Sequence, residues 1–183
     1  MQRTNTQAGF TLIELMITLV VGTILLVVAV PSFLSFQKDN RRITQLNELV
    51  SGLNLARSEA AKSNATVAIC PSSDPWTSCS GAIYDNGWIV FLNTDADNPP
   101  VVDNAAERIL RVHTGVTTSG ASLRASGITT GVNFAATGRP SAPGDITYCD
   151  DRGVGHARSV VVNRVGIINT SSTHWDNSAL TCP

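Results

Sequence analysis

The strongest constraint on this chain is a run of 23 residues without a charged side chain, from Leu15 to Gln37. As a helix, the run would be about 34 Å long, against about 30 Å for the hydrocarbon core of a bilayer. A core helix of a soluble protein is the alternative. A helix that is apolar on all sides needs a large protein to bury it, however, and this chain has only 183 residues. The run therefore predicts a membrane-spanning helix at about residues 10–36.

The residues before this run differ from an ordinary secretory signal peptide. Such a peptide has its small-residue cleavage site after the apolar segment, whereas here the small residue, Gly9, comes before it. Cleavage after Gly9 would remove only a polar leader, residues 1–9, and would leave the apolar segment at the new N-terminus. Glu14 then lies inside that segment, where a charge costs up to about 2.5–3.5 kcal/mol. This cost predicts that Glu14 has a partner.

The stretch Gly9-Phe10-Thr11-Leu12-Ile13-Glu14-Leu15 resembles the prepilin-peptidase site of type IV pilins and type II secretion pseudopilins. The resemblance implies cleavage between Gly9 and Phe10 and N-methylation of Phe10. It also implies that Glu14 pairs with the α-amino group of a neighbouring subunit in a filament. A carboxylate is tolerated at low dielectric when it is paired and hydrogen-bonded, so this pairing supplies the missing partner.

Two residues are predicted to weaken the helix within the apolar run. Pro31 removes the hydrogen bond to the carbonyl of Val27 and clashes with the preceding turn, and Gly22 is a second weak point. An ordinary kink is one interpretation, since membrane helices tolerate proline. The family resemblance instead suggests a helix break, with local melting when the filament assembles.

Beyond the membrane, the helix is predicted to continue to residue 64 with an amphipathic character. Its apolar stripe has three- and four-residue spacing and consists of Ile43, Leu46, Leu49, Val50, Leu53, Ala56 and Ala60. Short β-type runs follow, separated by turn residues, at 65–70, 87–92, 108–113, 131–134, 145–149, 159–163 and 165–168. The sequence thus predicts an α+β fold in which a long N-terminal helix, 10–64, packs on a β-rich head, 65–183. The head is either one antiparallel sheet or a small two-sheet unit.

The chain has four cysteines, Cys70, Cys79, Cys149 and Cys182. An even number behind an export-like N-terminus favours disulfides, and three connectivities are possible. We favour Cys70–Cys79, closing a turn, and Cys149–Cys182, tying the C-terminal tail to a strand. A zinc site is the alternative, but the chain has no Cys-x-x-Cys pair and its three histidines are scattered. We predict no metal and no other cofactor.

The expected location follows from two arguments that disagree. The positive-inside rule compares Arg3 with Lys38, Arg41 and Arg42 and would place the C-terminal part in the cytoplasm. The cysteines and the prepilin-like site both place it outside. We follow the latter and predict a single-pass protein of the bacterial inner membrane, with the head in the periplasm and later in a periplasmic or extracellular filament.

The head carries an ordered set of motifs that resembles the GspH/FimT family, the minor pilins and pseudopilins of the H type. The motifs are Ala56-Arg57-Ser58-Glu59-Ala60, Gly87-Trp88-Ile89-Val90-Phe91, Asp95-Ala96-Asp97, Arg108-Ile109-Leu110-Arg111, Phe134 with Gly138-Arg139, Cys149-Asp150-Asp151-Arg152-Gly153 and Ala157-Arg158-Ser159-Val160-Val161-Val162. The resemblance implies the type IV pilin fold and a minor pilin that helps to initiate or cap pilus assembly, in twitching, adhesion or DNA uptake. A type II secretion pseudopilin H is the alternative.

The same resemblance implies the partners of the protein. They are other major and minor pilins, the prepilin peptidase, an inner-membrane assembly platform and the lipid bilayer. An enzyme is not expected, because the sequence has no Gly-x-Ser-x-Gly elbow or other catalytic spacing.

Two further ligands were considered for the head. Asp95 and Asp97, with Asp103 and Glu107, have oxygen ligands of the kind that calcium prefers. Pro99 and Pro100 interrupt an EF-hand pattern, however, and a solvated acidic loop is favoured.

DNA is the second ligand. The resemblance places a Gly-Arg-x-Arg motif of some family members on late strands, where this chain has Gly166-Ile167-Ile168-Asn169. The remaining candidates for contacts with DNA phosphates are Arg139, Arg152, Arg158 and Arg164. Structural hydrogen bonds, for example to Asp150, are the favoured use of these arginines.

Overall fold

The structure is a computed structural model that describes residues 9–73, 75–81, 83–116 and 120–182. Of the predicted leader, residues 1–8 lie outside the described residues and only Gly9 is described. The chain divides into two compact units, Met1–Arg41 and Arg42–Pro183.

One helix, α1, extends from Leu12 to Ser63, close to the predicted bounds of 10–64. Its N-terminal part contains a segment that is long and apolar enough to cross a membrane, and none of that segment is buried. The helix is continuous through Gly22 and Pro31. The structure therefore shows no break at these residues, and their melting during assembly stays a prediction.

The described part of the head forms eight strands in two antiparallel sheets. The strands are β1 Val67–Pro71, β2 Gly87–Leu92, β3 Ile109–Thr114, β4 Ser122–Ser126, β5 Val132–Phe134, β6 Gly144–Cys149, β7 Arg158–Val162 and β8 Ile168–Ser171. The first sheet has the order β3-β2-β1-β5 and the second the order β4-β6-β7-β8. The two-sheet alternative of the sequence prediction is therefore the correct one.

The interior of the head combines the apolar stripe of α1 with strands of both sheets. Strands β1 and β6 lie inside their sheets and are buried over their whole length. Leu53 of α1, Ile69 of the first sheet and Ile146 of the second belong to one buried cluster. The helix therefore packs on an antiparallel β head, and the predicted α+β fold is confirmed.

Most of the predicted stripe on α1 is buried. The buried members are Leu46, Leu49, Leu53, Ala56 and Ala60, joined by Gly52. Ile43 differs from the prediction, because 49% of its surface remains exposed. The buried face of α1 therefore begins one turn later than the apolar spacing suggests.

Two strand predictions were wrong. Strand β4, Ser122–Ser126, was not predicted, because Leu123 is its only large apolar residue. The run 165–168 was predicted as a strand, but β8 starts only at Ile168. The Asn163 side chain accepts hydrogen bonds from the amides of Val165 at 3.0 Å and Ile167 at 2.8 Å. These bonds fold the segment into a tight hairpin turn.

Two disulfides tie loops and the C-terminal tail to the sheets. Cys70 is bonded to Cys79, with Cα atoms 5.6 Å apart, and Cys149 to Cys182, with Cα atoms 5.8 Å apart. These are the two pairings that the sequence analysis favoured. Cys70 lies on β1 and Cys149 on β6, so each disulfide is anchored on the buried strand of one sheet.

Gly52 lies where α1 packs against Trp88 of β2, and substituting it should destabilise the head. A Cβ atom at Gly52 would come within 2.6 Å of Cζ3 of the buried Trp88 ring. Overpacking costs about 1–3 kcal/mol, and the better helix propensity of alanine offsets up to about 1 kcal/mol. We expect Gly52→Ala to lower the free energy of unfolding by about 1 kcal/mol. Tryptophan fluorescence of the detergent-solubilised full chain in denaturant measures this change.

The matched control for this substitution is Asn54→Ala on the same helix. Asn54 is exposed, and among the described residues its side chain donates only to the Val50 carbonyl, at 2.9 Å. This variant should have an almost unchanged unfolding midpoint. A Gly52→Ala variant as stable as this control would contradict the tight contact with Trp88.

Candidate assembly segment and head surface

The beginning of α1 is fixed by a cap at Thr11. The Thr11 side chain accepts a hydrogen bond from the Glu14 amide at 3.3 Å, and its carbonyl accepts one from the Leu15 amide at 3.2 Å. Threonine followed three residues later by glutamate is the spacing of a capping box. The sequence analysis missed this signal, although Thr11-x-x-Glu14 could have indicated where the helix begins.

The Glu14 carboxylate remains unsatisfied. In a complete capping box, it would accept a hydrogen bond from the Thr11 amide. Within residues 9–73, no such bond is formed and no cation pairs with Glu14. The glutamate is also exposed. Both oxygens of the Glu14 carboxylate can therefore accept hydrogen bonds from another molecule.

Phe10 and Glu14 lie close together at the start of α1. Together with Leu15 and Thr18 they line a cavity of about 250 Å³. Phe10 directly precedes the Thr11 cap and is outside the helix, whereas Glu14 belongs to the first turn, so both border the same cavity. The structure thus brings together the two residues that the sequence analysis assigned to subunit assembly.

The surface around this cavity is apolar. Phe10 is 87% exposed and Leu12 is 76% exposed, and the large apolar residues of the Leu15–Gln37 run are 49–69% exposed. A monomer rarely exposes apolar surface over such a length in water. The apolar surface of this segment therefore has to be covered by a bilayer, by a protein partner, or first by one and then by the other.

In the acidic loop, the structure groups Asp95 with Asp103 and Glu107. One ligand oxygen from each lies within 4.8 Å of the other two. Glu107 is nearly buried, and its two oxygens accept the amides of Thr94 at 3.1 Å and Asp103 at 2.9 Å. Glu107 therefore organises the loop through bonds to backbone amides, while Asp95 and Asp103 are exposed.

Asp97 is not a member of that acidic group. Its carboxylate accepts the Val101 amide at 3.2 Å, and its carbonyl accepts the side chain of Asn133 at 2.7 Å. Of the four acidic residues weighed as calcium ligands, Asp97 therefore stands apart, although its amide donates to Asp95 Oδ1 at 3.2 Å. Asp97 connects the loop to β5.

The four arginines considered for DNA contacts have different surroundings. Arg139 lines a cavity with Asn133, and Arg164 lines another with Trp175. Arg158 belongs to a third, beside Arg42 of α1. The structure thus distributes these arginines over separate cavities.

Arg152, the fourth arginine, has a structural role in the turn after β6. Its backbone amide donates to Asp150 Oδ1 at 3.0 Å, and its Nη2 donates to Oδ2 at 2.8 Å. Burial alone would raise the pKa of Asp150, but the hydrogen bonds and charge of Arg152 outweigh it and hold that pKa below its usual value. This ion pair is the structural use that the sequence analysis favoured for the arginines.

Comparisons with known proteins match the N-terminal segment and the head to two different family models. A family model described as type II transport protein GspH matches residues 45–166, about two thirds of the chain. The chain belongs to the GspH family. A second model, the prokaryotic N-terminal methylation motif, matches residues 4–30 and so includes Gly9, Phe10 and Glu14. No curated protein matches the chain.

Solved structures show the same fold. The type IV minor pilin FimU of Pseudomonas aeruginosa, in one crystal form, is 19% identical with a TM-score of 0.57, covering 74% of this chain and 92% of FimU. A second crystal form of FimU is 18% identical with a TM-score of 0.53, covering 70% and 90%. These likenesses show that this GspH-family member has the fold of a type IV pilin subunit. The family match and this fold agree with the expectation that it is not an enzyme.

Proposed function

We propose that this GspH-family protein is a minor pilin that helps to initiate or cap a type IV pilus. Before assembly, the membrane-spanning segment, about residues 10–36, would anchor the protein in the bacterial inner membrane, with the head in the periplasm. The observation that carries the proposal is the exposed carboxylate of Glu14, which pairs with no cation among the described residues, at the start of a membrane-length apolar helix. This carboxylate lies inside the match to the methylation motif.

The proposed mechanism begins with processing. A prepilin peptidase cleaves between Gly9 and Phe10, and the new α-amino group of Phe10 is methylated. Glu14 of the incoming subunit then accepts the Phe10 ammonium of its neighbour. Two opposite charges at low dielectric neutralise each other, and their geometry sets the register between subunits.

The cavity at the first turn supports this pairing. It places Phe10 and Glu14 side by side, so that one subunit presents a donor and an acceptor from the same surface. Each subunit can therefore pair with the one before it and the one after it. Major and minor pilins are the proposed neighbours, and an inner-membrane platform is the proposed site of assembly. Pro31 and Gly22 are the proposed places where the helix melts to fit the filament.

A type II secretion pseudopilin is the second candidate. The matching family model is described as a type II transport protein, whereas the similar solved structures are of a type IV minor pilin. DNA binding during transformation has weaker support. Arg152 is paired with Asp150, and Arg139, Arg158 and Arg164 line different cavities.

Deletion of the gene in the source bacterium tests the proposed function. We expect loss of surface pili and of twitching, with normal export of secreted proteins. Restoration by the intact chain is the control. Normal twitching combined with lost exoprotein secretion would contradict the pilus assignment and establish the pseudopilin instead.

A further inference from the structure

We propose that a groove at the start of the head binds the phosphate of an anionic phospholipid while the subunit resides in the membrane. The groove lies between α1 and strands β7 and β8 and has a volume of about 290 Å³. It is lined by Arg42, Ile43, Leu46, Asn47, Arg158 and Thr170. The inference rests on the proposed membrane stage of the subunit, and it adds a specific ligand to that stage.

The lining combines charge and apolar surface as a phospholipid requires. Two of its members are arginines and none is acidic. Planar guanidinium groups bind phosphate oxygens through paired hydrogen bonds. Beside them, Ile43 is 49% exposed, although it was predicted to be part of the buried stripe. An exposed isoleucine next to two arginines suits the glycerol and upper acyl carbons that accompany a lipid phosphate.

The two guanidinium groups are held by consecutive carbonyls. Arg42 Nη1 donates to the carbonyl of His156 at 2.6 Å, and Arg158 Nη1 donates to that of Ala157 at 2.6 Å. These bonds direct both side chains to the same turn before β7. In the part of the chain that the structure describes, Arg158 forms no ion pair with a carboxylate. Its positive charge therefore remains available to an anion.

The position of Arg42 in the sequence places the groove near the membrane surface. Arg42 lies only five positions after Gln37, the last residue of the uncharged run. This is about 7.5 Å of helix, or at most about 18 Å of extended chain. The polar headgroup layer on one face of the bilayer is about 5–7.5 Å thick. The phosphate of a neighbouring lipid is therefore within reach of long arginine side chains.

Binding to defined short-chain lipids tests the inference without filament assembly. The full chain in neutral detergent micelles is titrated with short-chain phosphatidylglycerol and, separately, with the matching phosphatidylcholine. Arginine Nε–H signals in NMR spectra report binding in the groove. We expect phosphatidylglycerol to bind at least fivefold more tightly than phosphatidylcholine. Removal of one basic charge by Arg158→Gln should weaken phosphatidylglycerol binding about fivefold.

Arg164→Gln is the matched control, because Arg164 is exposed and lines a different cavity with Trp175. It should bind phosphatidylglycerol as the unchanged chain does. Equal binding by the Arg158→Gln and Arg164→Gln variants would overturn the proposed groove. Sodium phosphate that binds as tightly as phosphatidylglycerol would overturn the lipid assignment. Because no outcome depends on pili, a failure here is separate from a failure of the proposed function.

Discussion

A Glu14→Ala subunit should be processed and inserted normally but should enter filaments at least tenfold less than the unchanged chain. Removing the carboxylate leaves the ammonium of the neighbouring Phe10 without its counter-charge in an apolar environment. Loss of one partner from a buried ion pair costs about 3–5 kcal/mol. Quantifying the tagged subunit in sheared pili and in the membrane fraction measures both steps. Incorporation at the unchanged level would contradict the proposed pairing.

A Glu14→Gln variant separates pairing from helix capping. Thr11 already caps α1 through the Glu14 amide, and glutamine serves as well as glutamate in a capping box. If Glu14 acted only as a capping residue, Glu14→Gln would assemble normally. The pairing mechanism predicts that it fails as Glu14→Ala does. Thr18→Ala, a polar change in the same cavity, is the matched control and should assemble normally.

An Asp145→Ala variant should lose about 3–5 kcal/mol of folding stability. Asp145 on β6 is fully buried, and it accepts hydrogen bonds from His174 Nδ1 at 3.0 Å and from the Trp175 amide at 3.1 Å. Thr147 donates a third, at 2.9 Å. Removing a buried charged acceptor leaves all three donors unsatisfied. The segment that connects β8 to the tail would then lose its bonds to β6 and keep the one from Ser159 Oγ of β7 to the Thr173 carbonyl, at 2.7 Å.

Denaturant unfolding of the detergent-solubilised full chain, followed by tryptophan fluorescence, measures this loss. Asp176→Ala is the matched control. Asp176 is an exposed aspartate of the same tail, bonded only to Ser178 in the described residues, and its loss should shift the midpoint far less. An Asp145→Ala variant with the midpoint of this control would show that Asp145 does not organise the tail.

The fold was predictable from sequence where the signal is local. The bounds of α1 follow from an uninterrupted apolar run and a regular stripe, and most of that stripe is buried. Strands β1 and β2 are apolar segments between turn residues, and each lies near its predicted place. The residues of each such segment are enough to predict its secondary structure.

Strand β4 depends instead on distant residues. The Asp85 carboxylate accepts hydrogen bonds from the Leu123 amide and the Arg124 guanidinium, and β6 pairs along the whole of β4. A short segment with one large apolar side chain does not indicate such contacts in its own sequence. The later start of β8 has a related cause. The apolar residues Val165 and Ile167 suggest a strand, but the Asn163 side chain binds their amides and forms a turn.

The candidate sites also differ in whether neighbouring or distant residues form them. Phe10 and Glu14 were predictable, because both belong to one short motif at the start of the apolar segment. The groove of Arg42 and Arg158 was not, because 116 positions separate its two arginines in the sequence. Only the packing of β7 beside α1 brings them to one place.

The most direct test of the account is the mass of the N-terminal peptide of the protein purified from its own membrane. We expect a chain that begins at Phe10 and carries one methyl group on its amine. A Gly9→Val variant should retain the whole leader, residues 1–9. A purified protein that still begins at Met1, or one cleaved after the apolar segment, would contradict the claim that residues 10–36 form the assembly helix of a processed pilin.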